Sequence, residues 1–297
     1  MHNFLIGMHG GFDYEKFNRD FKEGFFGIEA CMFPNEKEVG VLVEEAKKHK
    51  FKMGIHFSLF QGSYRLRDPL FLSLDSNEVE KSYKAFKSEL KYASEIGADY
   101  ILVHFPKPVL LDKDINWDNW RFGHKDEYIY EDEYPYNLFK KNIEYMFYRL
   151  SELSKNYGVR IVLEHDAISK YLYKTELLTE LLDQYNNLKI CLDIARLHLL
   201  ESIDKDFDRK KFVNQMAPYT YLVHLSNVKI DSNLTNNHYP ALSHLNNEDG
   251  WADAREYLRD ITRINKDIKI LFEHRSDLIS DDELEACYRW VDGVVNR

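Results

Sequence analysis

Short apolar runs recur along the chain, and six of them end in an acid or a histidine: Ile55-His56, Val103-His104, Leu163-Glu164, Leu192-Asp193, Val223-His224 and Phe272-Glu273. The runs leading into them, among them Ile101-Leu102-Val103, Ile161-Val162-Leu163, Ile190-Cys191-Leu192 and Ile270-Leu271-Phe272, are continuous rather than alternating. Continuity of this kind belongs to parallel strands buried on both faces. A charged or imidazole side chain closing such a strand is not ordinary surface. Its recurrence predicts a closed parallel barrel whose strand ends converge, with the chemistry at the carboxyl rim.

The periodicity predicts eight strands, at 4–9, 27–33, 53–59, 99–105, 160–165, 189–194, 220–226 and 268–274. Helical patterns lie between them near 13–23, 35–49, 77–96, 137–157, 173–185, 205–216 and 251–265, with a last helix near 281–291. Asp75 and Ser280 stand as caps ahead of two of these helices, and Asp281-Asp282-Glu283 places acids where the helix dipole favours them. Two insertions interrupt the spacing. The first, 106–136, carries Trp117, Trp120, Phe122, Tyr128, Tyr130, Tyr134 and Tyr136 and follows the strand that ends in His104. Its aromatics either stack on a ligand or pack the loop onto the barrel. The second, 227–250, follows His224, includes His238, Ser243, His244, Glu248 and Asp249, and is polar enough to be a lid.

The 297 residues, 44% apolar, suffice for one large core, and α/β barrels of about 250 residues are commonly one domain. The expectation is therefore a single domain over 1–297 with extended rim loops. No apolar stretch approaches the roughly 20 residues that span a bilayer, and Met1-His2-Asn3 runs straight into Phe4-Leu5-Ile6-Gly7 without a signal peptide, so a cytoplasmic location is expected. Cys31, Cys191 and Cys287 form no metal-binding or disulfide spacing and read as small hydrophobes.

Glu164, Asp193, His224 and Glu273 come from the fifth to eighth strands. Three carboxylates and an imidazole suit a divalent cation such as manganese, magnesium, zinc or cobalt, and without one their like charges would resist ionising together. The alternative is a set of salt bridges or helix caps. His56 and His104, from the third and fourth strands, could hold a second ion beside Glu164, rest as hydrogen-bonded rim residues, or contact substrate. Arg196 places a permanent cation near the rim, suited to a carboxylate or phosphate or to pairing with Glu164 or Asp193. Lys107, Arg65 and Arg67 could do the same, or be solvated surface.

The ordered pieces Gly54-Ile55-His56, Glu95-Ile96-Gly97-Ala98, Leu102-Val103-His104, Leu163-Glu164-His165, Cys191-Leu192-Asp193, Val223-His224-Leu225-Ser226-Asn227 and Leu271-Phe272-Glu273 resemble the xylose-isomerase-like TIM-barrel superfamily. That superfamily includes sugar isomerases and epimerases as well as the apurinic endonucleases of family two. The resemblance covers nearly the whole chain and implies a TIM (β/α)8 barrel. For the endonuclease relatives it implies three metals, with His56, His104 and Glu164 on one ion and Glu164, Asp193, His224 and Glu273 on its neighbour. The third set is broken here. The histidine expected three positions after Asp193 is Arg196, the later Asp-x-His element has only Ser243-His244 or His238 as counterparts, and His198 is as well placed for packing at a helix start.

Two chemistries follow. In a sugar or polyol isomerase or epimerase, the ion polarises a hydroxy-ketone while Glu164 and Glu273 exchange a proton through an enediolate. His224 orients the metal or an oxygen, and His104, Arg196 and His244 contact substrate hydroxyls. In a phosphodiester hydrolase, one or two ions activate water. Nucleic-acid binding commonly needs a basic footprint, and 40 Lys plus Arg against 50 Asp plus Glu, a formal charge of −10, lowers that expectation. A non-catalytic metal- or ligand-binding barrel is the third reading. The exposed helices of such a fold could also support a homodimer.

Overall fold

The computed structural model describes residues 1–231 and 233–296. Eight parallel strands close into a barrel: β1 (Phe4–His9), β2 (Gly27–Cys31), β3 (Lys52–His56), β4 (Tyr100–Phe105), β5 (Arg160–His165), β6 (Leu188–Asp193), β7 (Thr220–Leu225) and β8 (Lys269–Phe272). Each pairs with its neighbours in sequence, and β1 pairs with β8 to complete the circle. This is the TIM barrel that the apolar runs predict.

The core has two shells. Leu5, Tyr100, Leu102, Val162, Cys191, Leu222 and Leu271 fill the barrel interior, while a larger cluster lies between the strands and the helices outside. The amphipathic helix Ser76–Glu95 shows how the outer shell is made. Asp75 caps it by accepting from the Asn77 amide, and Tyr83, Phe86, Leu90 and Ala93 recur at helical spacing on its buried face.

Several element bounds differ from the sequence reading. The strand expected at 27–33 stops at Cys31, because Met32 takes a left-handed backbone (φ 57°) that ends the ladder. The helix expected at 173–185 is two, Lys170–Tyr173 and Leu177–Gln184. Thr175 divides them, its hydroxyl donating to the Tyr171 carbonyl and accepting from the Leu177 amide. A helix at Ile194–Ile203 precedes the expected one, which shortens to Arg209–Met216. Asp193 starts it by accepting from the Arg196 amide at 3.0 Å. This cap was hidden because the same residue reads as a strand end.

Both insertions sit over the carboxyl rim and hold short strands of their own. In the first, Val109–Leu111 pairs with Tyr128–Tyr130, and in the second, Asn227–Ile230 pairs with Leu234–Tyr239. They meet where the Leu234 amide donates to Asn119 Oδ1 at 3.3 Å. Beneath them opens a cavity of about 1180 Å³ lined from strand ends and from both insertions.

Candidate metal centre

Successive side chains of a strand point to opposite faces, so residues two apart share a face. Leu102, Val162, Cys191, Leu222 and Leu271 belong to the interior cluster. Two residues further along each strand stand His104, Glu164, Asp193, His224 and Glu273. The site is thus the top layer of the barrel interior, the position at which apolar filling gives way to chemistry. Register aligns the layer, since His104 lies opposite Glu164 and Asp193 opposite His224.

Glu164, Asp193, His224 and Glu273 each bring one ligand atom to within 4.8 Å of all the others. His224 is fully buried, and its Nδ1 stands 3.5 Å from Glu164 Oε1 and 3.2 Å from Glu273 Oε2. Its other nitrogen, Nε2, lies 3.4 Å from Glu29 Oε1, while the buried Tyr100 hydroxyl donates to Glu29 Oε2 at 2.7 Å. At 3.4 Å this is a charge contact rather than a hydrogen bond, and it favours presenting Nδ1 forward, as a carboxylate does behind metal-ligating histidines.

His56, His104 and Glu164 form a second close group. Their Nε2 atoms lie 3.3 Å (His56) and 3.2 Å (His104) from Glu164 Oε2. Each Nδ1 is held from behind, that of His56 by the Phe57 carbonyl at 2.8 Å and that of His104 by Asp68 Oδ1 at 2.8 Å. Arg196 lies across both groups. Its Nε is 3.4 Å from Glu164 Oε1 and 3.3 Å from Asp193 Oδ2, its Nη1 donates to Asp166 Oδ1 at 2.9 Å, and its Nη2 is 3.1 Å from His104 Nε2. Lys107, also buried, reaches Asp166 Oδ2 at 2.7 Å.

The ionisation of the layer reflects this crowding. Burial works against charge on Glu164, but His104 and His224 hold it well below the usual carboxylate range. Burial, reinforced by the Glu273 charge, pushes Asp193 up to about 6, while Glu273 is held down to about 2 because His224 overcomes its burial. Within 4.0 Å among the described residues, the carboxylates of Glu29, Asp68, Glu164, Asp166, Asp193 and Glu273 meet only two fixed cations, Lys107 and Arg196. Glu164 Oε2 and both ring nitrogens of His224 are buried without a hydrogen-bond partner. Excess negative charge, orphaned acceptors and a mixed oxygen and nitrogen donor set together fit a divalent cation among Glu164, Asp193, His224 and Glu273.

Other expected contacts are placed differently. His244 is exposed and lies outside the cavity lining, with its charge acting on Glu283 at the start of the last helix, so it does not reach the site. The imidazole that the second insertion does bring is His238, whose Nδ1 is 3.1 Å from the Glu273 carbonyl. His198 is directed to the Gly250 backbone instead of the centre. Lys107 is an internal ion-pair partner and Arg65 pairs with Glu78 and Asp126, so neither is a free phosphate contact. In the first insertion Tyr134 is buried structure, whereas Trp120 reaches the cavity, its indole donating to Asp166 Oδ1 at 2.9 Å. Cys31 lines the cavity, where burial pushes its thiol up to about 12, and it is not among the residues that converge on either metal-ligand group.

Glu29, Asp68, Asp166 and Tyr100 were not singled out from the sequence. Glu29 had a readable signal, an acid inside the apolar run Ile28-Glu29-Ala30 at the inward parity of Gly27. Asp68 comes from a loop and had none.

Comparison with known proteins agrees with this architecture. The xylose isomerase-like TIM barrel family model matches residues 21–291, and the chain belongs to that family. No sequence among curated proteins matches it. Among solved structures, a D-tagatose 3-epimerase-like protein is 16% identical over 98% of each chain, with a TM-score of 0.64. The IolI protein with a bound zinc atom is 14% identical over 98% of each chain, at 0.61. A D-psicose 3-epimerase from Clostridium cellulolyticum H10, solved with D-tagatose, is 13% identical over 99% of each chain, at 0.59. At these identities the likeness is one of fold.

Proposed function

We propose that the protein is a divalent-metal-dependent isomerase or epimerase of a small sugar or sugar-like polyol. The observation that carries this reading is the convergence of Glu164 and Glu273 on Nδ1 of His224, with Asp193 completing a four-residue set of which Asp193 and Glu273 line a cavity large enough for a sugar. Structures of sugar epimerases share the fold across nearly the full chain, which supports the same class.

A divalent ion held by the quartet would polarise a substrate carbonyl and offset the charge of its carboxylates. The chain's own residues do the rest. Glu164 and Glu273 approach from different strands, so one, as the carboxylate, is placed to take the proton from the hydroxyl-bearing carbon next to the carbonyl, and the other, once it carries a proton of its own, to deliver that different proton from the opposite face. His224, with Glu29 3.4 Å behind its Nε2, presents Nδ1 to both carboxylates. Trp120 and residues of both rim insertions line the mouth of the cavity beside a bound substrate.

No helix among the described residues is long and apolar enough to cross a membrane. Phosphodiester hydrolysis is less well supported, because Arg196 stands where the third set of ligands needs an imidazole and the formal charge is −10. The test is a panel of ketoses and aldoses incubated with metal-loaded protein in deuterated water and followed by NMR. Interconversion with deuterium entering one substrate C–H position is expected, and Glu164→Gln and Glu273→Gln should each abolish it. A broad panel without interconversion, with metal shown to be bound, would overturn the assignment.

A further inference from the structure

The half of the centre around His56 and His104 has the outline of a second metal site, yet two guanidinium groups face the nitrogens that such an ion would use. Arg196 Nη2 is 3.1 Å from His104 Nε2, and Arg67 Nη2 is 3.5 Å from His56 Nε2. Guanidinium can only donate and stays protonated, so these contacts occupy ring lone pairs and place two positive charges where a divalent ion would have to enter. The rings are 4.9 Å apart between centroids, so the two cations converge on one small region.

The cations differ in how they are balanced. Arg196 is surrounded by Glu164, Asp166 and Asp193. Among the cavity-lining cations, Lys16, Arg19, Arg65 and Arg275 each have a carboxylate oxygen within 4.0 Å, whereas among the described residues Arg67 and Arg121 have none, and of these two it is Arg67 that reaches the centre, 3.5 Å from His56 Nε2. It is solvent-accessible, lines the cavity, is offset only beyond ion-pair distance by Asp68 and Glu164, and acts electrostatically on Arg196, His9 and Cys31 across the cavity. An unpaired guanidinium beside a second one, opening into a ligand-sized cavity, is complementary to an oxyanion.

We propose that Arg67, backed by Arg196, receives the carboxylate or phosphate of an anionic sugar, and that this group takes the place of a second metal ion. The substrate is then a sugar acid or sugar phosphate, and the centre works with one ion at the quartet. This rests on the sugar isomerase or epimerase reading for the rest of the ligand, but not on turnover.

The test is calorimetric titration of metal-loaded protein with a hexuronate, a hexose phosphate and the neutral parent hexose at one ionic strength, alongside elemental analysis of bound metal. One ion per chain is expected, with at least tenfold tighter binding of one charged sugar than of the neutral one. The better of the two charged ligands identifies the anion. Arg67→Gln should abolish that preference with metal content unchanged, and Arg67→Lys should keep part of it, which separates lost charge from misfolding. Two tightly bound ions per chain, no preference for either charged sugar, or a preference that survives Arg67→Gln would each overturn the proposal. Arg67-dependent binding of an anionic sugar that is neither interconverted nor exchanged would leave the subsite standing and sink the isomerase reading.

Discussion

At the scale of single residues, the ligand atoms depend on the groups behind them. Glu29 and Asp68 perform the same task for different imidazoles, Glu29 at Nε2 of His224 and Asp68 at Nδ1 of His104. If the quartet is the one metal site, the two are not equivalent. Glu29→Gln removes the charge that orients His224 and should weaken metal binding about 10- to 100-fold, the usual cost of losing such a partner. Asp68→Asn should weaken that affinity distinctly less than Glu29→Gln, because His104 touches only one of the four ligands, Glu164 Oε2 at 3.2 Å, and serves the oxyanion half. Titration against a competing chelator measures both. Equal losses in the two variants would mean that His104 holds metal as well.

Between elements, the site depends on fit inside the barrel. A Cβ on Gly54 of β3 would lie 2.2 Å from the Tyr100 ring, so the missing side chain makes room for the tyrosine that anchors Glu29. Gly54→Ala should therefore cost about 1–3 kcal/mol of stability, the range for overpacked cores, and also loosen metal through the displaced Tyr100 and Glu29. Urea unfolding and the chelator titration report the two effects separately; a variant with unaltered metal affinity would show that Tyr100 does not position Glu29. The same inward parity explains what the sequence made legible. His56, His104, Glu164, Asp193, His224 and Glu273 follow apolar runs and were recognisable as strand ends. Glu29 lies inside its strand, where an acid in an apolar run is itself a signal, while Asp68 and Asp166 come from loops whose path is set by tertiary contacts and carry no local pattern. Arg196 was legible as a cation near the rim, but not its contact with His104. That contact depends on where the helix Ile194–Ile203 begins, and the sequence suggests a helix start around His198 without marking its first residue or its extent. His244 was misplaced for a related reason, since a histidine in a long polar insertion has no periodicity from which to read its direction.

Across the whole molecule, the buried imidazoles set how the fold answers to acid. Burial pushes His165 down to about 4 and His274 down to about 3; Lys16 also lowers His274, Arg19 adds to the effect, and Asp20 opposes it. In the unfolded chain each returns to about 6.5, so below that pH the unfolded state binds protons that the folded state refuses. The stability from these neutral rings is complete above about pH 6.5 and is lost as pH falls toward the depressed values, at about 1.4 kcal/mol per pH unit for each histidine. His104 and His224 work in the opposite sense, because neighbouring carboxylates raise them against their burial, and their contribution is lost as pH rises through the folded values. The two sets overlap in any single pH profile, so a difference between proteins is needed. His274 packs against Phe272 with rings 5.5 Å apart, and its Nδ1 has no hydrogen-bond partner, so phenylalanine replaces its bulk without replacing a bond. Urea unfolding of the parent and His274→Phe, both in chelator, should show the parent losing stability more steeply between pH 6.5 and 4.5, by about one proton's worth of slope. Parallel curves would show that His274 is protonated in the folded protein, and the acid sensitivity would then fall to His165 and the carboxylates around the metal centre.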